Sequence, residues 1–160
     1  MMMFRQLFEP VSSTYTYLLA NPGGDALLID PVREDTAKYV QLVQELGLKL
    51  VITIDTHVHA DHVTASGPLQ DLTGCQIVMG EETKAEVVSH RVKEGESIRM
   101  GDIQLKVLYT PGHTDDSYSF ALPDRVFTGD TLLIRGTGRT DFQSGSADQQ
   151  FDSLFNKLLK

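Results

Sequence analysis

Three of the chain's five histidines fall within six consecutive positions, His57-Val58-His59-Ala60-Asp61-His62, directly behind the β-branched apolar run Leu48-Lys49-Leu50-Val51-Ile52-Thr53-Ile54-Asp55. The run has strand length and polar bounds, so the donors sit at the C-terminal end of a strand. Four nitrogen and oxygen donors this close form a chelating loop, because the backbone fixes their spacing in advance and neutral imidazole is the commonest metal ligand. A solvated polar loop is the ordinary reading of one histidine, but it does not account for three in six positions. The fold must therefore present a metal site at the end of that strand.

At 160 residues and 41% hydrophobic, the chain suffices for one globular domain over 1–160 that buries roughly two-thirds of its unfolded surface. Charges are 14 basic against 22 acidic, a net of −8, and no stripe of Lys and Arg suits a phosphate backbone, which excludes nucleic acid as a partner. The opening Met1 to Glu9 lacks the hydrophobic core of a signal peptide, and no uncharged apolar run reaches membrane-spanning length. The expectation is a cytoplasmic protein with no membrane partner. A single cysteine allows no internal disulfide, in keeping with a reducing compartment. Cys75 follows Thr73-Gly74 in a turn-then-strand pattern with no neighbouring cation, so it reads as a packing residue, and His90, between Ser89 and Arg91, as a surface histidine.

Periodicity organises the rest. Thr14 to Leu19 and Ala26 to Ile29 read as strands around Asn21-Pro22-Gly23-Gly24, the second ending at Asp30-Pro31. Tyr39, Leu42, Val43 and Leu46 recur at helical spacing, predicting a helix from about Asp35 to Leu46 with Asp35 as N-cap and Gly47 beyond its end. A short helix near Gly67 to Leu72 has Pro68 in its first turn, and a strand follows over Gln76 to Met79. Glu81 to Ser89 is helical or irregular. Ser97 to Met100 and Ile103 to Tyr109 flank Gly101-Asp102 as a half-buried hairpin that runs into Thr110-Pro111-Gly112-His113. Tyr118 to Leu122 and Arg125 to Thr128 form another, delivering Gly129-Asp130. The glycine-rich stretch Gly136 to Phe142 has the spacing of neither a P-loop nor a dinucleotide fingerprint. A closing helix is predicted near Asp148 to Leu159, with Phe151, Leu154, Phe155 and Leu158 on one face. Strands cluster in runs with helices interspersed, which favours stacked sheets covered by helices, an α+β fold.

Thr56-His57-Val58-His59-Ala60-Asp61-His62, Pro111-Gly112-His113 and Thr128-Gly129-Asp130 together resemble, in order and rough spacing, the metal motifs of the metallo-β-lactamase superfamily. The resemblance implies an αββα sandwich of two mostly antiparallel or mixed sheets, with the metal at one edge. Leu132-Leu133-Ile134-Arg135-Gly136-Thr137-Gly138-Arg139-Thr140-Asp141-Phe142-Gln143-Ser144-Gly145 is similar to the corresponding stretch of the persulfide dioxygenases within that superfamily. That likeness implies one Fe(II) per chain, oxidation of glutathione persulfide by O₂ to sulfite and glutathione, and iron ligands at His57, His113 and Asp130. Two imidazoles and one carboxylate suit this chemistry by leaving coordination positions for sulfur and O₂, whereas zinc has no electron to give. His59, Asp61 and His62 then orient ligands or accept hydrogen bonds around them. Arg139 suits a glutathione carboxylate through its planar fork, and Arg135 or Asp141 would hold the peptide or the loop. An Arg139–Asp141 ion pair that merely fixes the loop is the alternative.

Members of that family continue past the helix where this chain stops, adding strands, a histidine in a His-Asp-Tyr-like segment and a helical tail. By that measure the fold is C-terminally incomplete, and an exposed sheet edge would invite association into a homodimer. Two rivals follow. A glyoxalase II-like hydrolase would place His57, His59 and His113 on one zinc, Asp61 and His62 on a second, and Asp130 between them, attacking a glutathione thioester with hydroxide. A shortened protein that binds metal or thiol without turnover, or serves in assembly, is the other.

Overall fold

The computed structural model describes residues 2–160. Its first sheet is mixed and has six strands in the order β1-β2-β3-β4-β5-β6: β1 (Met3–Glu9), β2 (Thr14–Ala20), β3 (Asp25–Ile29), β4 (Lys49–Ile54), β5 (Gln76–Gly80) and β6 (His90–Val92). β1, β2 and β3 pair antiparallel, and β3 to β6 pair parallel. The second sheet is antiparallel, in the order β10-β9-β8-β7, from β7 (Ser97–Met100), β8 (Ile103–Tyr109), β9 (Tyr118–Leu122) and β10 (Arg125–Phe127).

Two-residue periodicity decides the layers. In β2 and β3, Leu19, Leu27 and Ile29 face the second sheet while Leu18, Ala20, Ala26 and Leu28 face the helices, so over these residues both strands are apolar on both faces. Between the sheets, Ile52, Ile54 and Val78 meet Ile98, Leu105, Val107 and Phe120. Each such side chain contributes about 1.5–3 kcal/mol by leaving water. On the outer face, α1 (Thr36–Glu45) and α2 (Ser66–Thr73) pack Tyr39, Val43 and Leu69 onto the first sheet. Gly47 and Gly74, just beyond these two helices, adopt left-handed conformations, as the sequence implies.

Asp35 occupies the N-cap position of α1, as expected, but its side chain does not cap it. It accepts no helix amide and instead pairs with Lys38 one turn on, the approach to the helix being a 3-10 turn over Arg33–Asp35. The Glu81 to Ser89 segment is irregular. The final helix, α3 (Ala147–Asp152), opens on Ser146, whose hydroxyl accepts the Gln149 amide, and widens into a π-helical turn over Ser153–Leu158. Its inward face differs from the predicted one. Gln150, Ser153 and Leu154 are buried, whereas Phe151 and Phe155 are 61% and 52% exposed and meet each other in a tilted pair. Buried carbonyls beneath the helix require donors, and Gln150 and Ser153 supply them to Thr131 and Pro111 at 2.6 and 2.7 Å.

Candidate metal centre

Every donor segment leaves the C-terminal end of a strand. β3 delivers Asp30, β4 delivers Asp55 to His62, β8 delivers Thr110 to His113, and β10 delivers Thr128 to Asp130. The sheets are joined where they meet: the Tyr118 amide donates to the Thr56 carbonyl at 2.9 Å. His57, His113 and Asp130 consequently converge, each offering a ligand atom within 4.8 Å of the others. Asp130 Oδ2 lies 3.4 Å from His113 Nε2 and 3.9 Å from His57 Nε2, and the two imidazole rings stand edge to face.

Hydrogen bonds fix which nitrogen is free. His113 Nδ1 lies 2.8 Å from the Arg139 carbonyl, which can only accept, so Nδ1 carries the proton and the Nε2 lone pair faces Asp130. Thr56 Oγ1 donates to the Asp30 carboxylate at 3.0 Å and must accept from His57 Nδ1, 2.9 Å away, which again leaves Nε2 free. Burial, then the neighbouring imidazoles of His59, His113 and His62, hold the His57 pKa well below its ordinary value, in the neutral form a metal requires. Burial raises the Asp130 pKa, against the pull of His113 and His59. A divalent ion would reverse that penalty. The three residues fit such an ion in donor type, tautomer and separation.

Gly138 closes this corner. Its amide donates to the Asp130 carbonyl at 2.7 Å, and a side chain there would strike that carbonyl and the His113 ring.

His59, Asp61 and His62 gather as a second group of possible ligands. His59 Nε2 turns to Asp30 Oδ1 at 3.2 Å. Burial disfavours its charged form, but the Asp30 carboxylate prevails and raises its pKa to about 9. His62 Nδ1 lies 3.1 Å from Asp61 Oδ1 and 3.2 Å from Thr14 Oγ1, while its buried Nε2 has no partner. Arg139 and Asp141 bond to each other at 2.7 Å and are 64% and 73% exposed, and Arg135 is exposed in a left-handed conformation.

Asp30, which by sequence is only the end of β3, belongs to this site. Its buried carboxylate accepts from the Thr56 amide and hydroxyl and from His59, coupling both halves of the histidine cluster. Its left-handed φ of 51° is strained for a residue with a side chain, and these bonds offset the strain. An aspartate directly after an apolar strand and next to a proline was the available signal. Asp55 was also unassigned: burial raises its pKa to about 6, while the Ser66 and Thr64 hydroxyls bind it. Beside the centre is a cavity of about 720 Å³, walled by the hydroxyl-bearing Ser12, Ser13, Thr14, Tyr15 and Tyr17 on one side and Leu132, Leu133 and Ile134 on the other.

The Metallo-beta-lactamase superfamily profile matches residues 10–160. The mitochondrial persulfide dioxygenase ETHE1 of Homo sapiens is 47% identical over 98% of the chain, which spans 63% of that protein. The hydroxyacylglutathione hydrolase of Methylococcus capsulatus is 33% identical over 90% of the chain, which spans 57% of it. The crystal structure of ETHE1 from Myxococcus xanthus superposes with a TM-score of 0.93 at 51% identity, covering 98% of this chain and 69% of that one. The chain thus spans less than two thirds of the length of these curated relatives.

Proposed function

This chain belongs to the metallo-β-lactamase superfamily, and from that membership we propose that it is a persulfide dioxygenase that oxidises glutathione persulfide with O₂ to sulfite and glutathione. The observation that carries the reading is the convergence of His57, His113 and Asp130 from two sheets. Two neutral imidazoles and one carboxylate would hold one Fe(II). Bound ferrous iron supplies the redox chemistry toward O₂ that a filled-shell ion lacks.

The chain's own residues prepare that site. Arg139, through its backbone carbonyl, and Thr56, through its hydroxyl, lock the two imidazoles in the ligating tautomer. Asp30 anchors Thr56 and holds His59 by its Nε2. The cavity has the volume of a site for a tripeptide-sized ligand, with hydroxyls to orient polar groups and an apolar wall of Leu132, Leu133 and Ile134. Arg139, Arg135 and Asp141 remain the proposed contacts for glutathione. No helix among the described residues is long and apolar enough to cross a membrane, and the proposal keeps a cytoplasmic setting and a homodimer, the latter measurable by sedimentation.

A second reading, thioester hydrolysis at two ions, draws support from the unpartnered His62 Nε2 beside His59 and Asp61. Anaerobic purification, elemental analysis and an oxygen-electrode assay with glutathione persulfide separate the two. One iron per chain and oxygen uptake with sulfite formation are expected. Two zinc ions, with thioester hydrolysis and no oxygen uptake, would overturn the dioxygenase.

A further inference from the structure

Asp116 lies outside the motifs that carry the metal donors, yet it is only 5% exposed in the loop that follows His113. Each of its oxygens is committed to a different histidine-bearing loop. Oδ2 accepts the Val58 amide at 3.2 Å, and Oδ1 accepts the Thr114 hydroxyl at 2.8 Å. The Val58 amide belongs to the peptide that leaves His57, and Thr114 directly follows His113. One carboxylate thus bridges loops that originate on different sheets.

Nothing cationic balances it. Among the described residues no Lys, Arg or His comes within ion-pair distance of Asp116. Its surroundings are acidic: the charges of Glu82, Asp115 and Asp116 all raise the Tyr109 pKa, while Lys84 is bound to Asp115 and Lys157, over the Tyr109 ring, is bound to Glu94. A buried carboxylate with two neutral donors and no counter-charge is costly in the folded protein. Packing alone would be served by an amide of the same shape.

We propose that Asp116 is a positioning residue of the metal centre: its carboxylate ties the His57 loop to the His113 loop, and the divalent ion those loops receive supplies the missing counter-charge. The inference rests on His57, His113 and Asp130 binding an ion. It makes metal affinity and metal-free stability respond in opposite directions to loss of the charge. A purely structural aspartate would move them together.

The test is anaerobic titration of metal-free protein with Co(II), followed by its visible d–d absorption, alongside the melting temperature of the same metal-free samples. Asp116→Asn keeps the shape and an acceptor for the Val58 amide but removes the charge. It should melt at or above the wild-type temperature and bind Co(II) about ten- to a hundredfold more weakly, the range for losing a partner that supports ligands, with unshifted absorption bands. Asp116→Ala, which also loses both acceptors, should melt lower and shift the bands. An Asn variant that binds within twofold of wild type overturns the proposal, as does one that loses affinity only together with stability or fails to fold. Wild-type protein that takes up no cobalt would instead overturn the ion-binding reading beneath it.

Discussion

At the scale of single residues, each imidazole of the cluster has one nitrogen engaged by a protein group, and this determines which lone pair remains for an ion. For His57 and His113 the free nitrogen faces Asp130, for His59 the exchange with Asp30 dominates, and for His62 the free nitrogen lies buried alone. Asp130→Ala should therefore abolish iron retention while His62→Ala leaves most of it, as measured by metal content after gel filtration. Equal loss in both would favour the two-ion layout. Glu9 supports a different kind of prediction. Its carboxylate accepts the Ser12 amide at 2.8 Å, the Ser12 hydroxyl at 2.7 Å and the Val11 amide at 2.9 Å. These donors hold its pKa below the ordinary 4.5. A carboxylate depressed in the folded state contributes stability above its unfolded pKa and loses it as pH falls through the folded one. Denaturation midpoints at pH 7 and pH 3 should thus differ more for wild type than for Glu9→Gln, which has no charge to lose there.

Among the elements, the C-terminal helix shows most clearly how a local pattern yields to its surroundings. Phe151, Leu154, Phe155 and Leu158 follow helical spacing, but the surface beneath offers the carbonyls of Thr131, next to Asp130, and Pro111, two residues before His113. Ser153 and Gln150 turn inward to meet them, and the two phenylalanines are left outside. Ser153→Ala should cost about 1–3 kcal/mol, since a buried carbonyl would lose its donor, and Leu154→Ala about 2–5 kcal/mol. Replacing both Phe151 and Phe155 by serine should change stability by less than about 1 kcal/mol. Urea denaturation ranks the three, and a larger loss from the phenylalanines would mean they are covered in solution. β1 and β6 were not legible for a different reason. β1 is an edge strand whose residues Met3 to Glu9 are mostly half-buried or exposed, without clean alternation, and β6 has three residues defined only by pairing with β5. The central strands, apolar on both faces, announced themselves.

For the molecule as a whole, the centre couples two sheets that otherwise meet through apolar packing and scattered hydrogen bonds, among them those of Tyr118 to Thr56 and of Val58 to Asp116. His57 comes from the first sheet, His113 and Asp130 from the second. An ion bound there acts as a cross-link that exists only in the folded state, so its removal should lower the melting temperature. Free ion at a hundred times its dissociation constant stabilises by about 2.7 kcal/mol, and calorimetry with and without chelator reads the shift. Identical melting curves would mean that the ion does not bridge the sheets. The order of the motifs, the strand-end position of every donor and the two-sheet architecture were present in the linear chain, because periodicity and donor type are local properties and the motifs resemble a known family. Tertiary structure alone decided that His59 faces Asp30, that Arg139 serves the site through its backbone carbonyl, and that Asp116 joins the histidine loops. Those outcomes depend on which buried donor meets which buried acceptor across dozens of residues, and no local pattern encodes such a match.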